Sequence, residues 1–120
     1  MIYLLQFNKQ NERKIKMEIS CEKRGDLTVA YIKGEIDHHN AKTARDMLDG
    51  IIESTQPIGF SLDLSGVTFC DSSGLGLVMG RMRKCQTVGS TLSIQNPSKA
   101  AYRILEIAGM DKILKIERGI

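Results

Sequence analysis

Phe60-Ser61-Leu62-Asp63-Leu64 alternates apolar and polar residues, Val67-Thr68-Phe69-Cys70 carries the chain onward, and Asp71-Ser72-Ser73-Gly74-Leu75-Gly76 then turns it. Leu75, Val78, Met79 and Met82 follow at helical spacing. The hydrophobic period therefore changes from two to 3.6 across a Ser-rich turn, the signature of a strand feeding an amphipathic helix. The helix is expected from about Ser73 to Cys85.

The same alternation recurs on both sides. Upstream, Leu27, Val29 and Tyr31 share one strand face and Ala30 and Ile32 the other, with Gly34 as a bend or end. Asn40 is placed to cap a helix over about Ala41–Ser54, whose buried stripe is Ala44, Met47, Leu48 and Ile51. Residues 17 to 23 read as a weaker strand, separated from the next by the turn Arg24-Gly25-Asp26. Downstream, Thr91-Leu92-Ser93-Ile94 alternates. Asn96-Pro97 opens a third helix with Ala101, Ile104, Leu105 and Ala108 inward, and Gly109 ends it. Ile113 to Ile116 forms a last short strand. The order is β-β-α-β-α-β-α-β. It predicts a single α/β domain with a mixed, mostly parallel sheet of about 4–5 strands and amphipathic helices.

The 120 residues suit one domain large enough to bury a core without staples. Trp is absent and aromatics are few, so that core is expected to be aliphatic. Residues 1–16 stand apart as a flexible leader or upstream-start extension, with the domain over 17–120. Lys9, Arg13, Lys14 and Lys16 against Glu12 account for the whole formal charge of +3. The body is balanced, which gives nucleic-acid binding little support. Cys21, Cys70 and Cys85 are odd in number and match no zinc spacing, so they are expected as buried thiols in a reducing compartment. No stretch approaches the ~20 apolar residues of a membrane span, and no secretory signal opens the chain, so a cytoplasmic protein without a membrane partner is expected. Met47, Met79, Met82 and Met110 are read as core.

Two segments invite a chemical reading. In Asp71-Ser72-Ser73-Gly74-Leu75-Gly76, Asp and Ser suit a helix N-cap. Alternatively one hydroxyl is exposed for modification, and Gly74 and Gly76 admit another backbone. A phosphate there would meet free amides at a helix end. The string is neither a P-loop nor a nucleophile elbow. The second segment is Gly34-Glu35-Ile36-Asp37-His38-His39-Asn40. Adjacent His side chains point apart in a strand, and the chain has only these two, so a metal site is not expected. Asp37 or Asn40 can cap the following helix. Both segments leave strands and enter helices, which in parallel units gathers them at one sheet edge.

Gly34-Glu35-Ile36-Asp37-His38-His39-Asn40-Ala41 followed by Val67-Thr68-Phe69-Cys70-Asp71-Ser72-Ser73-Gly74-Leu75-Gly76 resembles the anti-sigma factor antagonists of the STAS domain family. The double His and the Ser-Ser pair are most similar to the sporulation-type anti-sigma F factor antagonists. The resemblance covers about residues 17 to 117. It implies a partner switch: the chain binds an ATP-bound anti-sigma factor that is also a serine kinase, and a sigma factor is released. It further implies phosphorylation at Ser72, release of the kinase, and resetting by a serine phosphatase. Asp37, Asp71, Ser72, Ser73, Gly74, Leu75 and Gly76 match the partner-binding positions. No cofactor is implied. The leader is longer than in such relatives, and the chain stops where many continue into a further helix. A STAS-like module sensing a nucleotide or small anion at the same edge is the alternative. A hydrolase using Ser72 and His38 ranks third, because no triad or metal site is legible.

Overall fold

The computed structural model describes residues 2–7, by their backbone, and residues 16–119. Six strands alternate with three helices. The strands are β1 (Ile2–Phe7), β2 (Met17–Arg24), β3 (Leu27–Ile36), β4 (Gly59–Cys70), β5 (Thr91–Gln95) and β6 (Lys115–Glu117). The helices are α1 (Ala41–Thr55), α2 (Ser72–Val88) and α3 (Lys99–Ile107), with a single 3-10 turn at Met110–Lys112. Spatial order follows sequence order. The pairs β1–β2 and β2–β3 are antiparallel, and the three remaining pairs are parallel. Residues 17–117 thus supply five strands of a mixed sheet, as the periodicity predicts.

The sixth strand lies in the segment expected as a flexible leader or upstream-start extension: the backbone of Ile2–Phe7 pairs with β2 from Ile2↔Glu22 to Phe7↔Met17. An edge pairing is made by main-chain donors and acceptors, which hydrophobic period does not report. The leader's last residue is also docked. The Lys16 carbonyl accepts a hydrogen bond from Glu35 N at 2.9 Å. It does so against Gly34, at φ 102°, where the β3–β4 register shifts and a Cβ would collide with that same carbonyl oxygen. Only glycine fits both the angle and the contact. Residues 8–15, which hold most of the leader's charge, lie outside the described residues.

Strand alternation puts Met17, Ile19, Cys21, Ala30, Ile32, Phe60, Leu62, Leu64, Leu92 and Ile94 on one face, in a single buried cluster with residues of all three helices. The core is aliphatic, with Phe60 its largest fully buried side chain. Met110 is buried, Met47, Met79 and Met82 pack against the cluster, and among the described residues Cys21, Cys70 and Cys85 form no disulfide. No helix of the described residues is long and apolar enough to cross a membrane.

The opposite sheet face is polar and hydrogen-bonded. Glu22 on β2 accepts from Arg24 and from the Tyr31 hydroxyl. Asp63 on β4 accepts from Ser65 through one oxygen and from Gln95 and Asn96 through the other. Burial opposes the Asp63 charge, but these donors outweigh it and hold its pKa below the usual carboxylate value.

Helix three differs from its expected start. Pro97 precedes the helix, and Ser98 caps it, its Oγ accepting from Ala101 N at 3.1 Å. Ala108 is exposed at the C-cap, so it does not face inward, while Gly109 ends the helix at φ 73°. The last strand starts two residues later than predicted, because Ile113 is turned outward after the 3-10 turn.

Candidate functional site

The parallel register brings the two loops together. Ile36, the last residue of β3, is opposite Cys70, the last of β4. Asp71 N then donates to Ile36 O at 3.3 Å. The Asp37 loop and the Ser72 turn therefore leave the sheet side by side, each entering a helix.

The loop is braced from within. Asp37 Oδ1 accepts from His39 N at 2.9 Å and from Asn40 N at 3.1 Å. Asp37 O accepts from Asn40 N and Ala41 N. Asn40 occupies the N-cap position of α1 but makes no side-chain cap bond, contrary to expectation. Its side chain turns back instead: Nδ2 donates to Glu35 O at 2.7 Å, and Oδ1 accepts from Asp37 N at 3.0 Å. At 1% exposure, Asn40 satisfies buried backbone groups of the loop that no helix end supplies. His38 and His39 are exposed, with ring centroids 3.8 Å apart. Among the described residues no three His, Cys, Asp or Glu side chains converge as a metal site.

The turn is a capped helix start. Asp71 is extended and its Oδ1 accepts from Ser73 N at 2.8 Å. Gly74 N donates to Asp71 O. α2 begins at Ser72, one residue before the expected start, and runs on to Val88, where Gly89 at φ 79° stops it. Ser72 is exposed in the first turn, whereas Ser73 is half-buried. Gly74 and Gly76 have different surroundings. Gly74 is buried, and a Cβ there would collide with Cys70 Sγ and touch Ile36, so its missing side chain serves internal packing. Gly76 is exposed with open space beside it. Leu75 packs against the core. The neighbouring Cys70 thiol is pushed up to about 11, by burial first and by the Asp71 charge second, so it stays protonated at neutral pH.

Residues 18–120 match the STAS domain. The chain belongs to the STAS domain family. The anti-sigma F factor antagonist of Paenibacillus polymyxa is 28% identical over 102 residues, spanning 85% of this chain and 87% of that protein. The structure of the anti-sigma factor antagonist SpoIIAA in its unphosphorylated form superposes with a TM-score of 0.68 at 26% identity, over 82% of this chain and 86% of that one. The phosphorylated form of the Bacillus cell fate determinant SpoIIAA superposes with a TM-score of 0.63, also at 26% identity, over 82% and 89% of the two chains.

One polar residue escaped the sequence reading. Arg81 sits in the buried row of α2 with Gly74, Leu77, Val78 and Cys85 and is only 5% exposed. Its signal is the spacing itself. Positions 74, 77, 78, 81 and 85 form one helix face, and a cation stands among its apolar members. Its Nε is 3.1 Å from Asp49 Oδ1 on α1. Burial pulls its pKa down and the Asp49 charge pushes back, and the guanidinium remains charged at neutral pH.

Proposed function

We infer that this STAS domain is an anti-sigma factor antagonist that works by partner switching, a regulatory module and not an enzyme. It binds an anti-sigma factor and so frees a sigma factor in the cytoplasm. The anti-sigma factor is an ATP-bound serine kinase that phosphorylates Ser72, and a serine phosphatase resets the protein. The observation that carries this reading is the exposed Ser72 hydroxyl in the first turn of α2, beside the braced Asp37 loop.

The switch follows from charge. A hydroxyl is neutral, so a partner can close over Ser72 at modest desolvation cost. A phosphate adds about −1.5 to −2 charges and three acceptor oxygens. Its own helix end stabilises it by roughly 0.3 to 2 kcal/mol. The kinase holds nucleotide phosphates at the same place, and like charges meet in a partly desolvated interface. That repulsion exceeds the helix-end gain, and the complex dissociates without a change of fold.

The test is incubation with a candidate anti-sigma kinase and ATP, read by intact mass and by affinity. One added phosphate, located on Ser72 by peptide mass spectrometry, and weaker binding afterwards are expected. Ser72→Asp should bind more weakly than Ser72→Ala. Equal affinity of the phosphorylated and unmodified proteins would sink the switch.

A further inference from the structure

We propose that Phe69 is the aromatic anchor through which this protein docks its anti-sigma factor, and that the partner receives it in an apolar pocket rimmed by Lys or Arg. The inference deepens the function proposed above and rests on that reading. Phe69 is 50% exposed, and among the described residues it is the one aromatic side chain in the group of exposed large hydrophobics. It stands just before the Asp71-Ser72 turn. The other members, Ile58, Val88, Ile107 and Ile113, flank the starts of β4 and β6 or the ends of α2 and α3, at the opposite edge of the sheet.

Unbroken strand alternation would not expose this ring. Gly34 is opposite Val67 and Glu35 is opposite Phe69, so β4 carries one extra residue, Thr68, against β3. A bulge of this kind reverses the side-chain alternation beyond it. Val67 is buried, and without the bulge Phe69 would follow it inward. Instead Cys70 takes the inward place beneath Gly74, and Phe69 emerges beside Glu35. β5 pairs with β4 only as far as Asp63, so no further strand lies against the ring. Packing under the turn accounts for a small residue at position 70. It sets no requirement for an aromatic at position 69, where a polar side chain would be fully solvated. A ring on a bare strand end offers a partner a large apolar area at low entropic cost.

The ionisable groups beside the ring favour one kind of partner surface. Glu35 is its cross-strand neighbour, Asp37 follows in the braced loop, and Asp71 opens the turn. Among the described residues none of these three forms an ion pair with Lys or Arg, and Asp37 has His39 Nδ1 at 3.8 Å. The complement of an aromatic ring among unpaired carboxylates is an apolar pocket with a basic rim.

The experiment uses the whole protein and a candidate anti-sigma factor loaded with ADP, which supports no phosphoryl transfer. Affinity is read by titration calorimetry. Phe69→Ala should weaken binding by about thirtyfold, the size of an interface hot spot. Phe69→Leu, which keeps apolar area and loses the ring, should weaken it by about threefold. Ile107→Ala and Ile113→Ala, at the opposite edge, should bind as the parent does. Glu35→Gln should weaken binding by about threefold at low salt and by less as salt rises. With ATP, Phe69→Ala should be phosphorylated with a raised KM and an unchanged kcat, because the ring contacts ground and transition states alike. Binding of Phe69→Ala within about threefold of the parent overturns the inference and leaves the partner reading standing. So does an equal loss in Ile107→Ala, or a Phe69→Ala protein whose circular dichroism shows it unfolded. Unchanged affinity and salt dependence in Glu35→Gln overturn the basic rim. A parent protein that neither binds the anti-sigma factor nor takes phosphate from it overturns the partner reading, and this inference with it.

Discussion

The Asp37 loop and the Ser72 turn sit side by side, follow strands of one register and open helices, yet they are built in opposite ways. In the loop the side chains of Asp37 and Asn40 point inward and are consumed by backbone groups. In the turn only Asp71 is used locally, as a cap, and Ser72 is left at the surface. On the proposed reading, the hydroxyl to be modified needs a rigid frame that it does not itself hold up. The loop supplies part of that frame, and Gly74 supplies the rest by letting Cys70 and Ile36 close under the turn.

If that contrast is right, the two segments respond differently to mutation. Ser72→Ala should abolish phosphorylation completely while changing stability by no more than about 0.5 kcal/mol, the usual range for surface sites. Ser73→Ala should still accept phosphate. Phosphate recovered on Ser73 in the unmodified protein would reverse the assignment. Asn40→Ala is the converse. It strands the Glu35 carbonyl and the Asp37 amide in a buried place, and thermal unfolding should show a loss of about 2–3 kcal/mol. A stability equal to that of the parent would mean that the loop is not braced as described.

Asp37→Ala lies between these. It removes the acceptor for His39 N and Asn40 N, groups nearer to water, so a loss of about 1 kcal/mol is expected. The fold should survive by circular dichroism while phosphorylation slows. An unfolded variant would make Asp37 structural only. Asp63, on the far sheet face, is a control carboxylate with no part in either segment. Its pKa is held below the ordinary value of 3.8, so its contribution is present above about pH 4 and lost as pH falls through the lowered folded value. Asp63→Asn should be less stable by about 1 kcal/mol near neutral pH, with the gap to the parent narrowing in acid and phosphorylation at Ser72 unaffected. A gap that widens in acid contradicts the sign.

A similarly small effect on stability is expected at the edge strand. A chain beginning at Lys16 keeps the Lys16 carbonyl against Gly34 and, among the described residues, loses the β1 pairing, so the domain over the remaining residues should still fold. A fall in Tm of roughly 4 °C, corresponding to about 1 kcal/mol, is expected with partner binding retained. Loss of cooperative unfolding would make β1 integral to the domain.

The sequence by itself determined the kind and order of the elements from Met17 onward, because hydrophobic period and turn chemistry are set by residues a few positions apart. It also made an Asp or Ser cap at this turn legible, since such a side chain reaches an amide two residues away. The STAS resemblance was legible for the same reason: its two motifs are continuous strings. Only the tertiary structure decided which residues meet across elements. Asn40 turned from cap to brace because β3 left a carbonyl and an amide within its reach. Gly74 became a packing residue because Cys70 lies beneath it. Arg81 became a buried, half-satisfied cation because α1 placed Asp49 beside it without aligning the pair. Ile2–Phe7 became a strand because the outer edge of β2 offered it donors and acceptors. These outcomes depend on distances between segments far apart in the chain, which no local period encodes.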